Sequence, residues 1–184
     1  TRVKFESLFA KNIIRRHELE QAYAGLYLDA VVSLERFIEM LFVGYLVGRV
    51  EPESKRIVPR VSFRSEHVAR DVVLGGQSYV DWFPYRRTEK RAAAFFRNGA
   101  PFTDLQRADI ISLEKFMIIR NAIAHKSSYS MRTFEKTVIG SLSLTGRERS
   151  PAGYLRSVFR ITPAQTRYEN LVVEMASIAK KLAV

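Results

Sequence analysis

Two side chains in this sequence could together cleave a phosphodiester without a metal. They are Arg120 and His125, at the two ends of the run Arg120-Asn121-Ala122-Ile123-Ala124-His125. A guanidinium is permanently charged and offers a planar fork of donors to phosphate oxygens. An imidazole exchanges a proton near neutral pH. RNA carries its own nucleophile, the 2′-hydroxyl. A base removes its proton, the oxygen attacks the adjacent phosphorus, and an acid protonates the departing 5′-oxygen. In that chemistry His125 is the candidate base or acid, and Arg120 the candidate stabiliser of charge growing on the phosphate. Asn121 can orient either one or hydrogen-bond the backbone, and Lys126 adds a positive charge beside them.

The elements around this run decide whether the two side chains meet. Thr103-Asp104-Leu105-Gln106 has the capping-box pattern and predicts a helix to about Ala124. Its apolar residues cover nearly the whole circumference towards the end, which predicts a buried end. Arg120 follows Leu113 by seven residues and Phe116 by four, so it is expected on the apolar stripe. A guanidinium there is costly unless compensated, either by a substrate or by a carboxylate such as Glu35 or Glu39. In a continuous helix, five residues rotate Arg120 and His125 apart by roughly 140°. The expectation is therefore that they converge only where the helix ends near His125, or where a second copy faces the first. Ser127, Ser128 and Ser130 favour an end there and a cap for a short helix to about Ile139.

Upstream, residues 18–47 read as one long amphipathic helix, closed by Gly48 and Pro52. Residues 51–100 read as an Arg-rich insertion broken by proline and glycine. Within it, Ser65 is a cap for a helix to Leu74, Thr88 a cap for another to Phe96, and residues 57–63 are extended; a small strand pair is also assigned here. Tyr79, Trp82, Phe83 and Tyr85 precede Arg86 and Arg87. Such interleaving either clamps single-stranded RNA or builds a satellite core under a loop. Arg86 and Arg87 are the candidate substrate-binding residues of this stretch. After an irregular segment at 140–161, Thr162-Pro163-Ala164-Gln165 reads as a second capping box, with the last helix running to about Leu182. The expected fold is all-α: one antiparallel four- to five-helix bundle over 1–184, with the insertion at about 51–100.

Composition narrows the function classes. The chain has 184 residues, 47% hydrophobic, enough for a sizeable core. It has no cysteine, which excludes disulfides, a thiolate nucleophile and a Cys-based zinc site and suits a reducing cytoplasm. His17, His67 and His125 are too scattered to read as metal ligands, so no metal and no cofactor are expected. The most apolar stretch, 26–47, carries Asp29, Glu35, Arg36 and Glu39, so no membrane span is expected. The formal net charge of +11 favours a polyanionic partner, nucleic acid first. Spacing alone is not specific: Arg60 and His67 are separated by six residues, but they lack the apolar helix.

In its helical context, Arg120 to His125 resembles the signature of the HEPN superfamily. Those domains have four to five helices and an R-x(4–6)-H motif, commonly with Asn or another polar residue after the Arg. The long helix before the motif, the short helix after it and the capped terminal helix fit in order. The resemblance covers most of the chain except the Arg-rich insertion and the irregular stretch before Thr162. It implies a metal-independent endoribonuclease, with Arg120 and His125 catalytic and Asn121 supporting. It also implies a homodimer in which two motifs build one cleft, and a setting among bacterial toxins or antiphage effectors with an antitoxin or other partner protein. One departure stands out. In the branch paired with nucleotidyltransferase antitoxins the motif continues as His-x-Tyr, and that tyrosine is modified. Here Ser127 holds the place, and the nearest tyrosine is Tyr129. Some family members lack nuclease activity, so the alternative is a non-catalytic HEPN-like module binding RNA, nucleotide or a protein.

Overall fold

The computed structural model describes residues 2–50 and 57–183; Pro52 and Arg56 lie outside them. The described residues form α1 (Arg2–Ala10), α2 (Arg16–Leu46), α3 (Glu66–Leu74), α4 (Arg86–Phe95), α5 (Arg107–His125), α6 (Ser128–Phe134), α7 (Pro151–Arg156) and α8 (Arg167–Leu182). Between α7 and α8 lies one antiparallel pair, β1 (Val158–Arg160) and β2 (Gln165–Thr166). The fold is all-α with a small strand pair. Among the described residues, no helix is long and apolar enough to cross a membrane.

The long helix forms where periodicity puts it. Leu19, Tyr23, Tyr27, Val31, Leu34, Ile38 and Phe42 recur at three- and four-residue spacing and are all buried. The Arg15 N–H donates to Glu18 Oε2 at 2.6 Å and closes the entry to α2. Gly48, at φ 67°, carries the left-handed backbone that ends it. Gly25 is different: it is exposed mid-helix, and a Cβ there meets nothing within 4 Å. Gly25→Ala is therefore expected to stabilise the protein by about 1 kcal/mol. Urea unfolding at constant m-value checks this, and no gain would show that α2 is not continuous through residue 25.

Contacts divide the chain into two units. The first comprises Thr1–Val32 with Lys115–Glu174, and the second Ser33–Glu114 with Met175–Val184. In the first unit, Tyr27 O–H donates to the Phe116 carbonyl at 3.0 Å, and Phe134 meets Tyr154 edge-on at 5.7 Å. α1, which no strong pattern marks, is held by side chains: Tyr23 O–H donates to Glu6 at 2.8 Å, Arg156 donates to Glu6 at 3.1 Å, and Arg2 pairs with Glu169 at 2.7 Å. In the second unit, Phe42 packs against Phe96 and Phe102, with ring centroids 4.9 and 5.0 Å away. Lys181 pairs there with the nearly buried Asp109 at 2.7 Å.

Several local expectations need correction. The helix expected after Thr103 starts four residues later, because the Thr103 hydroxyl donates to Asn98 O at 2.7 Å and is spent in a turn. Gln106 takes the cap position instead, its N–H donating to Asp109 Oδ2 at 3.1 Å. The box at Thr162–Gln165 is not used either, since Thr162–Ala164 lie in the β1–β2 connection and Gln165 begins β2. The working box is Thr166-Arg167-Tyr168-Glu169: Thr166 N–H donates to Glu169 at 2.8 Å, and Glu169 N–H donates to Thr166 Oγ1 at 3.3 Å. The strand pair lies here; among the described residues of the insertion, Pro59 and Phe96 form an isolated bridge and no strand pair is present. Thr88 is no cap: α4 begins at Arg86, and the buried Thr88 hydroxyl donates to Trp82 O at 2.6 Å. Ser65 does hold the cap position of α3, without a side-chain hydrogen bond.

This network sets the pH range of stability. Burial alone would raise the Glu169 carboxyl, but the Thr166 N–H and hydroxyl and the Arg2 guanidinium hold it below the usual carboxylate range. Glu6 is likewise held low against its burial by Arg156 and Tyr23. Burial and the bond to Glu6 push the Tyr23 phenol up to about 12. The two carboxylates stabilise the fold above their ordinary pKa of about 4.3, and that contribution is lost as pH falls through their lower folded values. The phenol contributes below its ordinary value of about 10, and loses that contribution as pH approaches 12. Thermal melts should therefore show a plateau from about pH 5 to 9 and a decline on both sides. Glu6→Gln is expected to flatten the acid limb; an unchanged limb would remove Glu6 from this account.

Candidate active site

The chemistry-bearing run closes α5. Arg120, Asn121 and His125 occupy its last two turns. His125 is the final helical residue. Lys126, at φ 48°, is in the left-handed conformation that ends a helix. Ser127 then caps α6, its hydroxyl accepting from the Ser130 N–H at 3.2 Å. The stop expected at the histidine and the restart at a serine are both present.

Arg120 and His125 are in direct contact within one chain. The Arg120 guanidinium lies 3.2 Å from His125 Nε2, and the same nitrogen donates to Asn121 Oδ1 at 3.1 Å. The expected divergence of roughly 140° concerns backbone directions, and the long arginine arm crosses it. No second copy is needed for the two to meet. A guanidinium only donates, so this contact is a hydrogen bond in the tautomer whose Nε2 accepts and whose proton is on Nδ1. Asn121 and His125 thus share one guanidinium nitrogen, which leaves the other two free to donate elsewhere.

Arg120 is not a buried charge awaiting compensation. It is half-buried, as is Asn121, while His125 and Lys126 are exposed. The buried stripe of α5 runs through Leu113, Phe116, Ile119, Ala122 and Ile123. At 3.6 residues per turn this stripe drifts around the helix and leaves Arg120 on its border. Glu39, one of the two carboxylates considered for Arg120, pairs with Arg70.

Arg86 and Arg87 lie in the second unit, exposed on the first turn of α4, and Arg87 pairs with Asp81. The aromatics before them divide. Trp82, Phe83 and Tyr85 are core residues; Tyr85 donates to the Phe102 carbonyl at 3.0 Å, and Trp82 lies 5.2 Å from Phe42. Tyr79 remains outside, 70% exposed. The cluster is thus a satellite core carrying one exposed ring. Arg87, Lys90 and Arg91 line a cleft with Gln77 and Asp81. Their i, i+3, i+4 spacing puts them on one face of α4, a signal legible in the sequence that reading Arg86 and Arg87 as a pair passes over. The other Arg–His match does not assemble: His67 contacts Asp71 at 3.3 Å, and Arg60 donates to Phe96 O at 3.2 Å. Among the described residues, no group of three His, Asp or Glu could hold a metal ion.

Comparison of the chain with family models, with curated proteins and with solved structures returns no match.

Proposed function

We propose that this protein is a metal-independent endoribonuclease, and that its resemblance to HEPN domains reflects shared chemistry. The observation that carries the reading is the 3.2 Å contact between the Arg120 guanidinium and His125 Nε2 at the open end of α5. Arg120 there holds the lone pair that a general base needs. A phosphodiester arriving at Arg120 competes for the guanidinium and offers it charge-assisted bonds. Engaging the phosphate releases Nε2. The free imidazole then takes the 2′-hydroxyl proton, the oxygen attacks phosphorus, and the guanidinium neutralises charge on the equatorial oxygens. Asn121 keeps the arginine in reach, and Lys126 adds attraction for the strand. One imidazole supplies one proton-transfer group. In this reading the acid that protonates the leaving 5′-oxygen is His125 of a second copy, so the working form is a homodimer in the cytoplasm. A toxin or antiphage effector with a neutralising partner protein is the biological setting proposed.

The test is incubation with RNA in EDTA, followed by analysis of the product ends. Products bearing 2′,3′-cyclic phosphate and 5′-hydroxyl ends are expected, at a rate unchanged by added magnesium. Cleavage that requires a metal, or leaves 5′-phosphate ends, overturns the proposal.

A second reading has its own observation. Arg120 and His125 satisfy one another, as residues of a non-catalytic module would. Such a module binds RNA, nucleotide or a protein partner at the same surface, and in the same assay it retains RNA without cutting it.

A further inference from the structure

The second unit carries a cleft with its own chemistry. It measures about 550 Å³ and is lined by Gln77 and Asp81 from the loop before Trp82, and by Arg87, Lys90 and Arg91 from α4. That volume is within the range of small-ligand sites, roughly 300–1,000 Å³. Three cations face one carboxylate. Asp81 is already engaged: its side chain pairs with Arg87, and its carbonyl accepts from Arg91 at 3.2 Å. Arg91 is also held against the indole of Trp82, its guanidinium carbon 5.1 Å from the ring centroid. Two contacts thus fix a half-buried guanidinium at the cleft wall. Burial lowers Arg91 from the ordinary arginine value; Asp81 opposes this and Arg87 adds to it, so the cation is better satisfied once an anion arrives. On the same loop, Tyr79 leaves its ring 70% exposed.

We propose that this cleft is a phosphate-binding trough for the backbone of single-stranded RNA, with Tyr79 stacking one base beside it. Fixed cations along a groove and an open aromatic face are the two parts from which sequence-tolerant single-strand binding is built. The exposed ring favours a nucleic acid over an acidic protein segment, which needs the cations but has nothing to stack. The choice of RNA rests on the ribonuclease reading, whereas the phosphate chemistry does not.

Binding is measured apart from cleavage with a fluorescein-labelled 2′-O-methyl oligonucleotide, which has no free 2′-hydroxyl to attack. For the parent, log K falls linearly with log[NaCl]. In the double variant Arg87→Gln/Lys90→Gln, the slope is expected to become shallower by about 1.4, or ~0.7 for each lost phosphate contact on a single strand. Tyr79→Ala is expected to weaken binding about tenfold at fixed salt, within the range measured for one stacked base. A control double, Lys136→Gln/Lys180→Gln, removes the same charge elsewhere and should keep the parent slope. Lys90, Arg87 and Tyr79 are exposed, and circular dichroism verifies that the variants fold. An equal loss of slope in both doubles means diffuse attraction and overturns the proposal, as does an unchanged slope in the cleft double. Displacement of the oligonucleotide by millimolar 5′-AMP assigns the cleft to free nucleotides and overturns the strand claim. Equal affinity for a poly-glutamate peptide assigns it to acidic protein and does the same. His125→Ala separates the two readings, since it should stop cleavage of ordinary RNA while leaving this binding intact.

Discussion

His125→Ala should lower the rate of RNA cleavage by two to four orders of magnitude, the range typical of a lost general acid or base. The protein should remain folded. His125 is exposed and the side chain it contacts is Arg120, so the stability change should stay within about 0.5 kcal/mol. Arg120→Ala should cost a similar factor, because the phosphate loses its positive partner as the base loses the group that holds it. The double variant should be little worse than either single one, since residues acting as a unit are not additive. Arg120→Lys should not rescue: an ammonium cannot bond Asn121 and a phosphate with the same planar fork. Single-turnover cleavage of end-labelled RNA in EDTA measures all four. Parent-like rates in His125→Ala would remove this histidine from the chemistry. Full-affinity binding with no cleavage by the parent would favour the non-catalytic module.

Phe42→Ala should cost about 3–5 kcal/mol, the largest stability effect expected of a single substitution in the second unit. Phe42 is fully buried, and its ring centroid lies within 5.7 Å of those of Trp82, Phe95, Phe96 and Phe102. Truncation removes a large apolar side chain and four ring contacts, each pair worth about 0.5–1.5 kcal/mol beyond area. Against a typical total of about 5–15 kcal/mol, that is a large fraction. Trp82 is the single tryptophan of the chain and lies 5.2 Å from Phe42, so its fluorescence reports the loss directly in a urea titration. Phe42→Leu should cost less than half as much. A loss under 1 kcal/mol in Phe42→Ala would mean that the aromatic cluster is not the core of this unit.

Much of the helical framework is legible in single residues. The three- and four-residue recurrence from Leu19 to Phe42 specifies α2 almost to its ends, because one buried stripe repeats over about six turns. Ser127 announces α6 with a hydroxyl that does cap it. α1 is the opposite case. None of its residues is buried, so no stripe marks it, and ion pairs from distant residues hold it. Helix starts also resist reading. The chain offers several Thr/Ser boxes, and the one used depends on where the preceding segment is tied. β2 occupies Gln165 and Thr166, which leaves Thr166 and Glu169 to cap α8.

The candidate site divides in the same way. The sequence by itself determines that Arg120, Asn121 and His125 share the last turns of one apolar helix, that the helix stops there, and that the protein carries a large positive charge. These depend on local spacing and composition, which need no distant partner. Tertiary structure decides the rest. It puts Arg120 at the border of the stripe instead of in it, because burial is set by what packs against a helix and not by periodicity alone. It brings the guanidinium onto Nε2 across a backbone rotation that would separate shorter side chains. It sinks Trp82, Phe83 and Tyr85 into a core and leaves Tyr79 outside, a division invisible in a run where all four are aromatic. Spacing specifies which groups can be neighbours; the reach of the side chains and the packing of remote segments determine which of them touch.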